Sequence, residues 1–215
     1  MFTELMIVGG IFWSLTYIFI IRQGFKDKTF GMPFVALSAN ISWEAIFSFV
    51  QPHLPPQLYI NYAWFSLDLV IVFQFFRYCK SEFPKFSAIK SRLMFLVSAL
   101  ASSFVIYFTC YKIDDWQGAY AAFGQNLVMS ILFVAMLRRR NSLRGQSFFI
   151  GLFKMLGTGI SSIAFYLYQP ISQQSIILPM FYVAIFVCDI IYLVLVYQKN
   201  RETNASIFKI KQTNT

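Results

Sequence analysis

The chain has 215 residues, of which 58% are hydrophobic, 20% aromatic and only 13% charged, with a formal net charge of +9. Too few polar side chains remain to cover a water-facing surface, which excludes a soluble globular domain and places the chain in lipid. The basic residues fall in short clusters between apolar stretches rather than along one face, so they read as membrane-topology signals and not as a nucleic-acid surface.

A membrane span needs about 20 mostly apolar residues. The first candidate, roughly 5–22, has no basic leader and no small-residue cleavage pattern, so it is expected to remain as a helix rather than be removed. Arg22, Lys26 and Lys28 follow it. The second, roughly 34–51, carries Asn40 and Glu44 on one helical face and ends at Gln51-Pro52. The third, roughly 59–78, carries Asp68 and runs into Arg77, Lys80, Lys85, Lys90 and Arg92. The fourth, roughly 92–111, meets Lys112, Asp114 and Asp115, which read as a solvated loop. The fifth, roughly 118–137, holds Gln125 and Asn126 among apolar residues and ends in Arg138, Arg139 and Arg140, with Arg144 beyond. The sixth, roughly 148–168, contains Lys154 about two turns from one end, from where it could snorkel to the interface. The seventh, roughly 176–198, carries Asp189 and leads to Lys199, Arg201, Lys209 and Lys211.

Loops one, three and five and the tail are basic, whereas loops two and six carry no Lys or Arg. The expected fold is therefore all-α, a seven-transmembrane-helix bundle over 1–200 with the N-terminus outside and a polar cytosolic tail over 201–215. The membrane would be a bacterial inner membrane or, in a eukaryote, the endoplasmic reticulum. The sequon Asn204-Ala205-Ser206 should then stay unmodified in the tail. A weak internal likeness, Phe47 to Pro52 against Phe165 to Pro170 and Phe65 to Asp68 against Phe186 to Asp189, suggests a 3+1+3 helix repeat.

A charged side chain at the bilayer centre costs about 2.5–3.5 kcal/mol even on lenient insertion scales, which makes intramembrane acids functional candidates. Glu44, Asp68 and Asp189 each lie about ten residues, hence about 15 Å, from the basic end of their helices. With Lys154 the one embedded base, ion pairing cannot neutralise all three, and at least one is expected to hold a proton and serve as a Brønsted acid. Asn40, Asp68, Gln125 and Asn126 would support it, and Trp43, Phe47, Phe186 and Tyr192 are the aromatic residues expected beside it. Cys79, Cys110 and Cys188 show no CxxC spacing, His53 is the single histidine, and no Gly-rich phosphate loop occurs, so neither a metal nor a cofactor is expected. A rhodopsin-type Schiff base is excluded because the seventh span has no lysine.

Gly31-Met32-Pro33, Ala39-Asn40 and Trp43-Glu44 resemble the second-helix motif of the integral-membrane terpene cyclases of fungal meroterpenoid and indole-diterpene pathways and their bacterial homologues. Gly124 to Leu127, Met129-Ser130, Leu132-Phe133, Gly145-Gln146-Ser147, Lys154, Leu156-Gly157-Thr158 and Asp189 extend the resemblance over most of the chain. It implies a metal-free terpene cyclase in which Glu44 and Asp189 start the reaction. An epoxide or alkene of a linear isoprenoid would be protonated and would close through carbocations. The implied partners are a lipophilic isoprenoid and membrane lipid, with no nucleic acid and no obligate protein partner. The rival expectation is a small-solute or proton-coupled transporter, which the possible repeat would suit and in which the buried acids would relay protons.

Overall fold

The computed structural model describes residues 1–213, with side chains described through residue 203. Asn204 and the sequon lie outside the residues whose side chains are described. All seven expected segments are helical. They are α1 (Phe2–Asp27), α2 (Phe34–Ala45, continued by a π turn over Ile46–Val50), α3 (Gln57–Glu82), α4 (Ala88–Ile113), α5 (Ala119–Arg140), α6 (Phe148–Tyr168) and, after the short α7 (Pro170–Gln173), α8 (Ile177–Thr213). Six are long and apolar enough to cross a membrane, and Phe34–Val50 is shorter.

The shortness of α2 has a local cause. Pro33 precedes its first residue, and Pro52 lies just beyond Val50, where it can donate no hydrogen bond to prolong the helix. Between them, Gln51 N donates to Ile46 O at 2.8 Å, the wide closure of a π turn. The helix buries Ser38, Asn40, Ser42 and Glu44, polar residues that a lipid-facing helix would not carry, and it packs against α3, α4 and α5. It is the inner helix of the bundle. The two hexapeptides of the suggested repeat thus end in different ways, helix two in a π turn and helix six in regular α-helix to Tyr168.

α1 finds its most extensive packing against α6. The contact depends on small residues. A Cβ on Gly9 would stand 2.6 Å from Ser161 Oγ, and one on Gly157 would stand 2.7 Å from Trp13 Cδ1. Bare glycine backbones are what let the two helices close together, as in other membrane helix pairs.

At the basic end the loops are tied rather than merely solvated. Glu82 accepts from Arg140 Nε at 3.0 Å, Arg144 Nη1 at 2.9 Å and Thr29 Oγ1 at 2.7 Å. Arg140 also donates to Phe30 O at 3.1 Å, Arg144 donates to Lys28 O at 2.9 Å, and Gly145 N donates to Asp27 Oδ2 at 2.7 Å. Gly31 and Gly145, from two separate stretches of the family-like pattern, meet here: a Cβ on Gly31 would lie 2.8 Å from Gly145 O. Several residues that the sequence offers only as topology signals therefore form a clamp joining three loops. At the other end the expected solvated Asp114-Asp115 pair is divided. Asp114 is exposed, whereas Asp115 is buried and accepts from Tyr120 N at 2.8 Å, because it caps the start of α5.

Candidate functional site

α2 brings Asn40 and Glu44 to one inward face, four residues apart. α1 supplies Tyr17 and α3 supplies Asp68, and all four side chains are buried. Tyr17 donates its hydroxyl to Glu44 Oε1 at 2.6 Å, and Asn40 Nδ2 donates to the same oxygen at 3.0 Å. Asn40 Nδ2 also reaches Asp68 Oδ2 at 2.8 Å and contacts the Tyr17 hydroxyl. Glu44 Oε2 and Asp68 Oδ1 have no donor among the described residues, and the two carboxyl groups lie within hydrogen-bonding reach of each other.

No cation joins this cluster among the described residues. The Lys154 ammonium is held by Asp189, at 2.8 Å from Oδ1 and 3.0 Å from Oδ2, and donates to Ser130 Oγ at 2.6 Å. Two neighbouring ionised carboxylates in a buried interior would repel strongly, and no described cation stands beside them to offset it.

Beside the cluster lies a cavity of about 660 Å³, within the range of sites that enclose a small molecule. Its lining reaches as deep as Tyr17 on α1, Asn40 on α2, Met129 on α5 and Thr158 on α6. Beyond these, toward the basic end, Ile20, Leu37, Phe133 and Ile150 belong to the buried core. Toward the opposite end it is framed by the loops at 52–57 and 114–117 and by Gln169. All four tryptophans of the chain, Trp13, Trp43, Trp64 and Trp116, line it. Its acidic lining residues are Glu44 and Asp114, and none of its described lining residues is Lys or Arg.

The sequence-predicted site residues divide. Asn40, Trp43, Glu44, Gln125 and Asn126 line the cavity. Asp68 stands directly behind Asn40. Asp189 does not line the cavity; its ion pair with Lys154 lies one layer behind, with the ammonium 5.8 Å from the ring centre of Trp13. The three acids, expected at one depth, thus belong to two separate groups. Lys154 does not snorkel. Both partners are almost fully buried, because the ion pair satisfies the ammonium without a path to water. Phe47 is buried but covered by His53, whose ring stacks on it at 4.5 Å. Tyr192 is buried edge-on to Phe133 at 5.4 Å and against Gly151, away from the cavity. Phe186 is 49% exposed, since α8 turns Leu178, Ile185, Asp189, Tyr192 and Val196 inward and leaves Phe186 off that face.

Sequence reasoning misses Tyr17 for a simple reason: a tyrosine in an aromatic-rich span carries no charge to mark it. The signal that could have found it is the four-residue spacing Gly9, Trp13, Tyr17, a stripe that faces the bundle. His53 likewise joins the cavity lining although its position at a helix end offers no such hint. Burial lowers its pKa from the usual 6.5 to about 4, with the Gln117 carbonyl offsetting only part of the effect.

A family model described as Pyr4-like transmembrane terpene cyclases matches residues 1–202. The Pyr4-family terpene cyclase mfmH of Annulohypoxylon moriforme is 30% identical over 165 residues, covering 75% of this chain and 68% of that protein. Terpene cyclase ascF of Acremonium egyptiacum is 28% identical over 223 residues, covering 92% of this chain and 82% of that protein. Terpene cyclase pyr4 of Aspergillus fumigatus is 25% identical over 162 residues, covering 74% and 67%. These names support the cyclase expectation rather than the transporter one. No solved structure matches the chain.

Proposed function

The chain belongs to the Pyr4-like transmembrane terpene cyclases, and from that premise we propose that Glu44 protonates a linear isoprenoid at the deep end of the cavity and so starts its cyclisation. One observation carries this reading: Glu44, which lines the cavity, has its Oε1 fixed by two hydrogen bonds, while Oε2 has no described donor and the carboxyl lies within hydrogen-bonding reach of Asp68. A neutral carboxyl held this way keeps its proton off Oε1, shared with Asp68 until the substrate takes it. Proton transfer to an epoxide oxygen breaks a C–O bond, or transfer to an alkene carbon uses its π pair to form a C–H bond, and either leaves a carbocation. Successive alkenes attack, each forming a C–C bond, and loss of a proton from the last cation gives a product isomeric with the substrate.

The carboxylate left behind is stabilised by the Tyr17 hydroxyl and the Asn40 amide, which are already in place before charge develops. The faces of the lining tryptophans favour a passing cation. Asp68 supports Asn40 from behind. Asp189 is a positioning residue: through Lys154 it holds Ser130, whose hydroxyl donates to the carbonyl of Asn126 at 3.0 Å in the cavity wall. The partners in this reading are a meroterpenoid-type isoprenoid and membrane lipid.

The same reading takes Phe34–Val50 as a seventh crossing. It also puts the basic loops and the C-terminus in the cytosol, with the N-terminus outside, in a bacterial inner membrane or the endoplasmic reticulum. Gathering of the basic loops at one end of the bundle supports this orientation.

The test is to incubate membranes holding the full chain with prenylated aromatic epoxides and plain polyprenyl compounds. Cyclised products of unchanged mass are expected, and Glu44→Gln should lower their rate by about a hundredfold or more, the usual range for removing a general acid. Undiminished turnover by Glu44→Gln would overturn the assignment.

A further inference from the structure

Building on the reading of Glu44 as the acid at the deep end, we infer that His53 presents an Nε2–H to the substrate's polar head at the open end, and that this head is a neutral oxygen acceptor such as a ketone, ester or ether. His53 lies between the π turn and α3 and lines the cavity. Its ring is clamped, stacked on Phe47 at 4.5 Å and 5.6 Å from the Trp43 ring. Its Nδ1 stands 3.0 Å from Nδ2 of Asn61.

The orientation of the Asn61 amide is set by its other bonds. Oδ1 accepts from Gln57 Nε2 at 2.8 Å, and Nδ2 donates to Phe47 O at 3.0 Å. An amide nitrogen only donates, so His53 Nδ1 accepts, and the proton of the neutral ring sits on Nε2. That nitrogen is buried and completes no well-formed hydrogen bond among the described residues, although the Gln117 carbonyl, also in the cavity lining, faces the ring as a backbone acceptor. A buried donor left so poorly partnered is costly, and the cavity it borders is where a better acceptor can come from.

Charge decides what kind of acceptor. The cavity presents the carboxyl groups of Glu44 and Asp114 and no described Lys or Arg. A diphosphate or carboxylate head would meet acidic groups with no cation to receive it, whereas an uncharged oxygen needs only the single donor that His53 offers. With the head held there, the far end of the isoprenoid chain is the part that reaches Glu44.

Because every tryptophan lines the cavity, intrinsic fluorescence of the full chain in lipid nanodiscs reports occupancy directly. The probes are an aryl ketone bearing a saturated farnesyl-length chain, the saturated hydrocarbon of that length, and farnesyl diphosphate. The ketone should bind about tenfold more tightly than the hydrocarbon, in keeping with one buried hydrogen bond. The diphosphate should bind more weakly than the ketone. His53→Phe, which keeps an aromatic ring on Phe47, should abolish the preference for the ketone, and His53→Gln, which keeps an N–H, should restore part of it. An equal loss for ketone and hydrocarbon in His53→Phe, no change at all, or tighter binding of the diphosphate would each overturn the inference. The ketone and the hydrocarbon cannot cyclise, so their binding is read independently of turnover. The cyclase reading fails separately, through unconverted epoxides in the membrane assay.

Discussion

Glu44 illustrates how a single buried carboxyl can be both anchored and available. Tyr17 and Asn40 share its Oε1 and leave Oε2 without a described donor, so removing one donor should weaken the acid without abolishing it. Tyr17→Phe is expected to slow cyclisation about tenfold, the worth of one hydrogen bond to a developing charge, as measured by initial rates at matched protein levels. His53 gives a prediction in stability. Its folded pKa of about 4 lies below the usual 6.5, so the fold favours the neutral ring. That advantage is full above pH 6.5 and is lost as the pH falls toward 4. Thermal unfolding of the wild type should therefore shift downward across that interval more than that of His53→Phe. Of these residues, Glu44 was legible in the sequence because charge in an apolar span is conspicuous. Tyr17 and the role of His53 were not, because they depend on which helices meet, something no single span records.

Among the helices, the α6–α8 pair is joined by a buried ion pair whose two halves depend on each other. Asp189→Asn alone should cost about 3–5 kcal/mol by leaving the Lys154 ammonium uncompensated, seen as a lower unfolding temperature in detergent. Replacing both, Lys154→Met with Asp189→Leu, should recover most of that stability and keep turnover within about tenfold. A well-folded double variant without activity would instead put Asp189 in the chemistry. α5 is preceded by its N-cap Gly118, whose φ of +64° favours glycine and where a Cβ would overlap Phe47 and come within 2.8 Å of the Trp43 ring. Gly118→Ala should disturb the stack that holds His53, and should appear first as weaker ligand binding. The spans themselves were readable from hydropathy to within a few residues at most ends. What was not readable was the phase of each helix about its axis, which turns Phe186 outward, withdraws Tyr192 from the cavity and separates Asp189 from Glu44.

Across the molecule, the two ends of the bundle are built differently. One is tied by the Glu82, Arg140, Arg144 and Thr29 clamp, and the other frames the mouth of the cavity. Glu82→Gln should loosen the tied end, and limited proteolysis of the loops that carry Lys28 and Arg144 should then become faster while the helices stay inserted. The deep-lying acid and the close approach of Gly9 to α6 have a further consequence, for how the protein is made. α1 leaves the ribosome before the other described helices, yet the neighbour that covers it, α6, follows only after α2 to α5. Through most of synthesis Tyr17 and Glu44 border a chamber with a missing wall, and the polar stripe of α2 lacks its final enclosure. The nascent chain must hold that half-built chamber open in the membrane until its wall comes, so a chain cut between α5 and α6 should regain activity only when both pieces are produced together.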